Sequence, residues 1–185
     1  MGEVFCSMSV SLDGYVEDPD GNIAFAAPDD EVHRMANEGA RDASVFLFGR
    51  RLFEVMEGPW TEIAARSDIS DVEAEFAQFY FDTPRVVFSD SLGEVPPGVR
   101  LVRRKDAYAE VARLKQETAG YLDVGGPQLA ASVIDLIDEF RLFVVPVVLG
   151  GGKPYFPPGH RLDLRLVEER KFSSGTVFLR YRRAG

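Results

Sequence analysis

The stretch "DVGGPQLAAS" at residues 123–132 joins a short apolar run, "YLDV" (121–124), to a run with helical spacing, "QLAASVIDLI" (128–137). Two glycines, Gly125 and Gly126, sit at the junction. Glycine loses more conformational freedom on folding than any other residue. A pair of them marks a place where the backbone must turn sharply, or where something must approach it closely. The stretch reads as strand, glycine step, helix, and the same arrangement recurs along the chain.

Upstream, "VFCSMSVSL" (4–12) alternates and carries β-branched residues, which predicts a strand. Turn signals follow at "DG" (13–14) and "DPDGN" (18–22). "PDDEVHRMANEGAR" (28–41) predicts a helix that starts at Pro28 and the acidic trio Asp29, Asp30 and Glu31. "SVFLFG" (44–49) is a buried-type strand, "RRLFEVM" (50–56) a short helix, and Trp60 is placed on the loop beyond it. "DVEAEFAQFY" (71–80) is a helix, "PRVVFS" (84–89) and "GVRLV" (98–102) are strands, and "DAYAEVARLKQET" (106–118) is a helix. "EFRLFVVPVVLG" (139–150) predicts one long buried strand with a bulge or a missing ladder bond at Pro146. "LDLRLVEER" (162–170) and "TVFLRYR" (176–182) close the chain as a hairpin. Strands that alternate with helices predict a largely parallel sheet with helices on its faces, and the last two strands add an antiparallel hairpin. The expected fold class is therefore mixed α/β, in one domain over residues 1–185.

Composition narrows the function. A net charge of −9 excludes the basic footprint of a general nucleic-acid binder. It leaves room for a small anionic ligand, because a few local arginines and a helix N-terminus bind phosphate inside an acidic protein. Cys6 is the only cysteine, so no intrachain disulfide and no cysteine-based metal site forms. No His, Asp and Glu spacing suggests a metal. "LFVVPVVLG" (142–150) is far shorter than the roughly 20 apolar residues that span a bilayer. The N-terminus shows no secretory signal pattern. A cytoplasmic protein without membrane or nucleic-acid partners is expected.

Several buried-type strands end in a glycine or small-residue step: Gly49 followed by Arg50, Ser89, the pair Gly125–Gly126, and Gly150–Gly151–Gly152. In α/β sheets, ligands sit beyond the carboxyl ends of the strands. Two phosphate grips and an arginine suit a dinucleotide, although any one step also reads as a plain structural turn. Neither G-x-G-x-x-G nor the P-loop pattern is present.

The order and spacing of "SMSVSLDGYVEDPDG", "FLFGRRLFEVM", "RVVFSDSL" and "VGGPQLAASVIDLIDEFRLFVVPVVLGGGKPYF" resembles the dihydrofolate reductase-like superfamily over nearly the whole chain. Within it, the chain is most similar to the branch related to the C-terminal reductase domain of the bacterial riboflavin-biosynthesis deaminase–reductase. The resemblance implies NADPH as cofactor, hydride transfer to a small heterocyclic or ribosylamino-pyrimidine-type substrate, and a homodimer. It implies that Gly49, Arg50 and the adjacent Arg51 hold phosphates, that Ser89 meets the adenosine-ribose end, and that Gly125, Gly126, Pro127, Gln128 and Leu129 lie against the pyrophosphate and nicotinamide. Dihydrofolate reductases often carry threonine two residues after that arginine, and here the position is Leu52. The deaminase half of the riboflavin enzyme, with its His/Cys zinc pattern, has no counterpart.

The catalytic side has two candidates. His33 lies sixteen residues before Gly49, where dihydrofolate reductases place a carboxylate. It reads as a proton donor near neutral pH or as a partly exposed helix histidine. Asp13, in "SLDGY", reads as a substrate contact at the mouth of the site or as a cap on the turn with Gly14. The acidic trio reads as a helix cap. Arg103–Arg104–Lys105 reads as a solvated face or as an aid to a 2′-phosphate. The function expected is that of an NADPH-dependent reductase; the alternatives are a nucleotide-binding module of the same fold without reductase activity, and, more weakly, a flavin-binding protein.

Overall fold

The computed structural model describes residues 1–184; Gly185, the last residue of the expected domain, lies outside the described residues. The first strand, β1 (Glu3–Ser11), is followed by the short β2 (Tyr15–Glu17), helix α1 (Asp30–Asp42) and β3 (Ala43–Gly49). Then come α2 (Arg50–Ala64), α3 (Asp71–Asp82), β4 (Arg85–Phe88), β5 (Val99–Val102) and α4 (Ala107–Glu117). The quoted stretch forms β6 (Tyr121–Gly125) and α5 (Pro127–Ser132). The chain ends in β7 (Glu139–Val145), β8 (Lys153–Pro154), β9 (Leu164–Lys171) and β10 (Val177–Arg183).

One eight-stranded sheet runs β5-β4-β3-β6-β1-β7-β10-β9. Pairing is parallel from β5 to β7 and antiparallel from β7 through β10 to β9. The fold is thus the expected mixed, mostly parallel sheet with a C-terminal antiparallel hairpin. β2 and β8 form a separate two-stranded ribbon.

Period-2 alternation decides which helices cover which face. Val4, Cys6, Leu122 and Val124 point to one face and pack with Val111 of α4 and Leu129 of α5. On the other face, Phe46 and Phe48 pack under Phe53 of α2 and Tyr80 of α3, over β3 and β4. Further along, Phe143 and Phe178 pack under Val32 of α1, over β7 and β10. α1 crosses this face between the two regions, its Val32 in one cluster and its Ala40 in the other, and Ser7 and Ser9 of β1 with Asp123 of β6 border a cavity there.

Caps fix the helix starts. The Asp29 carboxylate accepts from the Val32 N–H at 2.9 Å, the cap role read for the acidic trio. At α3, Ser70 and Glu73 form a reciprocal capping box.

Four elements differ from the sequence reading. α2 runs fifteen residues and carries Pro59 inside it, so Trp60 is helical rather than on a loop. Trp60 stays in the helix because it packs on Phe76, with ring centroids 4.4 Å apart, and that tertiary contact outweighs the proline's effect. β7 stops at Val145 rather than running to residue 150: the ladder bond is missing at Pro146, which has no N–H, and the strand ends there without a bulge. α5 ends at Ser132, after which a 3-10 turn (Ile134–Leu136) takes over. The β2–β8 ribbon was not anticipated at all.

Glu57 of α2 accepts from the Tyr80 hydroxyl at 2.8 Å and from Arg85 Nη1 at 2.7 Å. Arg85 is only 5% exposed and its guanidinium also stacks over the Tyr80 ring at 4.7 Å. Removing one partner of a buried ion pair costs about 3–5 kcal/mol, because the other charge stays buried. Glu57→Ala is therefore expected to lower unfolding free energy by about 3 kcal/mol in urea titration, and the double variant Glu57→Ala/Arg85→Met, which removes the stranded charge as well, by clearly less. Equal losses for the two variants would refute this account.

Candidate active-site cavity

A cavity of about 1070 Å³ lies beyond the carboxyl ends of β4, β3, β6 and β1. Its floor is formed by Ser7 and Ser9 of β1 with Asp123 and Gly125 of β6. Ala36 of α1 forms one wall, and Val55, Met56 and Phe76 form the other. From β4 to β1 the cavity crosses three strand intervals, roughly 14 Å. At the β4 end stand Ser89, Ser91, Arg50, Arg104 and Lys105.

Gly49 is the N-cap of α2, and no side chain caps it, so the first-turn N–H groups are left for a ligand. Arg50 Nη1 donates to Ser91 Oγ at 3.1 Å. Ser89 is buried, and its Oγ accepts from the N–H groups of Ser91 and Leu92 at 3.2 and 3.1 Å. Its hydroxyl proton remains free to donate. Gly125, Gly126, Pro127, Gln128 and Leu129 all line the cavity. Arg51 lines it too, but its guanidinium is engaged: Nη1 lies 3.0 Å from Glu17 and Nη2 donates to the Gly21 carbonyl at 2.8 Å. Glu17 also pairs with Lys153 of β8, so a carboxylate on β2 links α2 to the ribbon.

Both glycines of the opening stretch have structural reasons as well. A Cβ on Gly125 would lie 2.5 Å from Leu52 Cδ2 and 3.0 Å from Phe48 Cδ1. Gly126 has φ +99°, a conformation that side chains rarely adopt. Gly49 differs: its φ of −67° suits any residue, and a Cβ there meets only ordinary contacts at 3.7 Å or beyond.

Neither catalytic candidate reaches the cavity lining. His33 turns toward α2 and α3, with its ring 6.0 Å from Trp60 and 5.9 Å from Phe76. Burial there lowers its pKa, which disfavours the charged imidazolium. The Asp13 carboxylate accepts from Ser11 Oγ at 2.7 Å, Leu149 N–H at 3.1 Å and Gly150 N–H at 2.7 Å. These bonds, the Ser11 hydroxyl first, hold its pKa below the usual carboxylate range. Asp13 pins the glycine-rich 149–152 loop. Among the described residues, no group of three or more His, Cys, Asp or Glu side chains gathers to hold a metal. No helix among them is long and apolar enough to cross a membrane.

The sequence reading passed over Asp123. It sits on the cavity floor, and burial pushes its carboxyl up to about 7, with Arg141 pulling weakly the other way. The signal was in the alternation: Leu122 and Val124 are fully buried on one face, which sends Asp123 to the other.

A family model described as the RibD C-terminal domain matches residues 3–178. The chain belongs to this family. Two Bacillus subtilis (strain 168) members resemble it along nearly their full length. YyaP is 29% identical over 182 residues, covering 96% of this chain and 93% of YyaP. YwjB is 32% identical over 185 residues, covering 96% and 95%. Both are described as uncharacterized proteins. Among solved structures, a Thermotoga maritima deaminase/5-amino-6-(5-phosphoribosylamino)uracil reductase superposes with TM-score 0.67 at 18% identity, over 99% of this chain and 57% of that one. Enterococcus faecalis dihydrofolate reductase complexed with NADP(H) superposes with TM-score 0.65 at 10% identity, over 99% and 97%. At these identities the likeness is one of fold. The fold is that of the RibD reductase domains and of dihydrofolate reductase.

Asp13→Ala is expected to free the 149–152 loop. Amide hydrogen exchange at Leu149 and Gly150 should accelerate roughly tenfold, the scale of a lost charge-assisted hydrogen bond. The sign of the pH effect follows from the lowered pKa: the clamp holds above the ordinary carboxylate range and is lost as pH falls through the folded-state value. Wild-type exchange at these two amides, corrected for intrinsic rates, should therefore rise only in acid. Protection unchanged in the variant would refute the clamp.

Proposed function

We propose that the protein is an NADPH-dependent oxidoreductase that reduces a small heterocyclic or ribosylamino-pyrimidine-type substrate. The cavity's two unlike ends carry this reading. One end is cationic and hydroxylated, over β4 and the start of α2; the other has a small polar floor over β6 and β1 between apolar walls. Its volume is at the upper end of the roughly 300–1,000 Å³ typical for one ligand, which leaves room for a cofactor and a substrate together.

The residues fit a dinucleotide. The uncapped first turn of α2 and the Arg50 guanidinium would hold phosphate, and Ser89, Arg104 and Lys105 would receive the adenosine end with its additional phosphate. The backbone at Gly125 and Gly126 would lie beside the nicotinamide, next to the floor. When bound, the nicotinamide supplies the hydride. The protein's part is to bring a substrate's reducible bond over Ser7, Ser9 and Asp123, and to exclude water with Val55, Met56 and Phe76. Arg51 joins this set through Glu17, as a brace on the ribbon rather than as a free phosphate ligand. Leu52 puts an apolar group where a hydroxyl contact stands in many dihydrofolate reductases, so phosphate binding rests on Arg50 and the backbone.

Two measurements test the reading. NADPH oxidation followed at 340 nm with dihydrofolate and with 5-amino-6-(5-phosphoribosylamino)uracil is expected to show turnover on at least one. Tight NADPH binding without turnover would favour the non-catalytic module. In fluorescence titration, Arg50→Ala should weaken NADPH and NADH alike, about 10- to 100-fold, as expected for loss of a charge-assisted contact to a phosphate that both nucleotides carry. Gly49→Ala should weaken both nucleotides while leaving the melting temperature within about 2 °C, because its backbone accepts a side chain. Unchanged affinity in both variants would remove the cofactor from this end of the cavity.

A further inference from the structure

We propose that Asp123 is the acid of the reaction: its carboxyl holds a proton on the cavity floor and delivers it to the substrate atom next to the carbon that receives the hydride. The proposal rests on the reductase reading above.

Three carboxylates line the cavity. Glu17 is already paired with Arg51 and Lys153. Asp90 accepts the Arg104 N–H at 3.1 Å at the far, cationic end. Among the described residues, none donates a hydrogen bond to the Asp123 carboxyl; burial acts on it first and the charge of Arg141 second. An unpaired carboxyl in a cavity wall is stable when protonated, and a protonated carboxyl can donate. Its place on β6 is two residues before Gly125, so it stands one side-chain interval along the same face from the backbone proposed to meet the nicotinamide.

The charges that bear on it are few. Arg141 of β7 shares its face of the sheet but is neutralised by Glu139, with Arg141 Nε 2.6 Å from the carboxylate, and its guanidinium lies over the Phe5 ring. Cys6 of β1 and Tyr155, just after β8, feel it through the sheet, and burial pushes both of them up, the thiol to about 12. Neither ionises near neutrality. Asp123 is thus the group in this part of the cavity whose protonation changes there.

The chemistry balances. A bound NADPH would supply the hydride, with its two electrons, to the carbon of a C=N or C=O bond. The π electrons would move to the heteroatom, which would bond to the Asp123 proton as the carboxyl O–H breaks. The substrate would thus gain the hydride's two electrons and, beyond the hydride, one proton, and a solvent proton entering the cavity would recharge Asp123. The substrate class follows: a neutral ring or side chain whose reducible C=N or C=O is small enough to sit between Ser7, Ser9 and Asp123.

The sign of the pH effect is worked out from the raised value. The folded state keeps the proton between about pH 4 and about pH 7 while the unfolded chain releases it, so Asp123 lowers stability as pH rises through that window. Asp123→Asn should therefore raise the melting temperature at pH 8 relative to wild type and leave it nearly unchanged at pH 4. In ligand-free protein carrying carboxyl-13C aspartate, the resonance lost in Asp123→Asn should titrate near pH 7; a midpoint below pH 5 overturns the proposal. With dihydrofolate or 5-amino-6-(5-phosphoribosylamino)uracil, whichever the wild type reduces, kcat should fall as pH rises through that midpoint. Asp123→Asn should lower kcat about 100-fold and abolish this limb, with NADPH affinity within about twofold; Asp123→Glu should recover part of the rate. Unchanged turnover in Asp123→Asn overturns the role of Asp123 and leaves the reductase reading standing. A wild type that binds no NADPH, or oxidises it with neither substrate, overturns both.

Discussion

The packing of Leu52 and Phe48 against the backbone at Gly125 joins α2 and β3 to the end of β6. A Cβ on residue 125 would lie 2.5 Å from Leu52 Cδ2 and 3.0 Å from Phe48 Cδ1, so a side chain there would displace the leucine tip or the aromatic ring. The first turn of α2 stands beside the Gly125–Gly126 turn, where a Cβ on Gly126 would lie 3.8 Å from the Gly49 nitrogen. The glycine pair therefore serves packing and access together: the same missing side chain admits Leu52 on one side and exposes backbone on the other.

Electrostatics divides the cavity. Arg51 and Lys153 are both committed to Glu17, and Arg50 donates to the Ser91 hydroxyl. Such commitments set positions more than they stabilise, because exposed pairs contribute little. The carboxyl left without a donor is desolvated by the sheet around it, and its ionised form is disfavoured. An acidic protein thus builds one anion-attracting corner and one proton-holding corner at opposite ends of a single crevice.

The sheet was legible in the sequence because alternation and turn residues act locally. "SVFLFG" and "YLDV" each declare a strand and its end within a few residues, and the resemblance supplied the order. What stayed hidden depended on long-range contacts. Pro59 argued for ending α2, but Phe76, from α3, holds Trp60 in the helix. The spacing from Gly49 pointed to His33, yet only the packed structure shows it turned away toward Trp60 and Phe76. Asp13 was read as either a substrate contact or a turn cap, and its partners, Leu149 and Gly150, are more than 130 residues away. Asp123 was within the most informative stretch, and the alternation that put Leu122 in the core also assigned it to the open face. Attention to the glycines hid the residue two places before them.

The ribbon of β2 and β8 has a consequence in time rather than in space. Glu17 and Lys153 are 136 positions apart, and their pairing joins the first turn of the chain to the glycine loop near its end. Closing so long a loop is entropically costly and contributes non-local contacts that slow folding. On a ribosome, the strands that form the floor exist long before residue 153 emerges. The crevice is thus a late-maturing feature: a partly made chain can assemble β1, β3 and β6 while the ribbon bordering its ligand cavity is still missing. The crevice is complete only in the finished molecule.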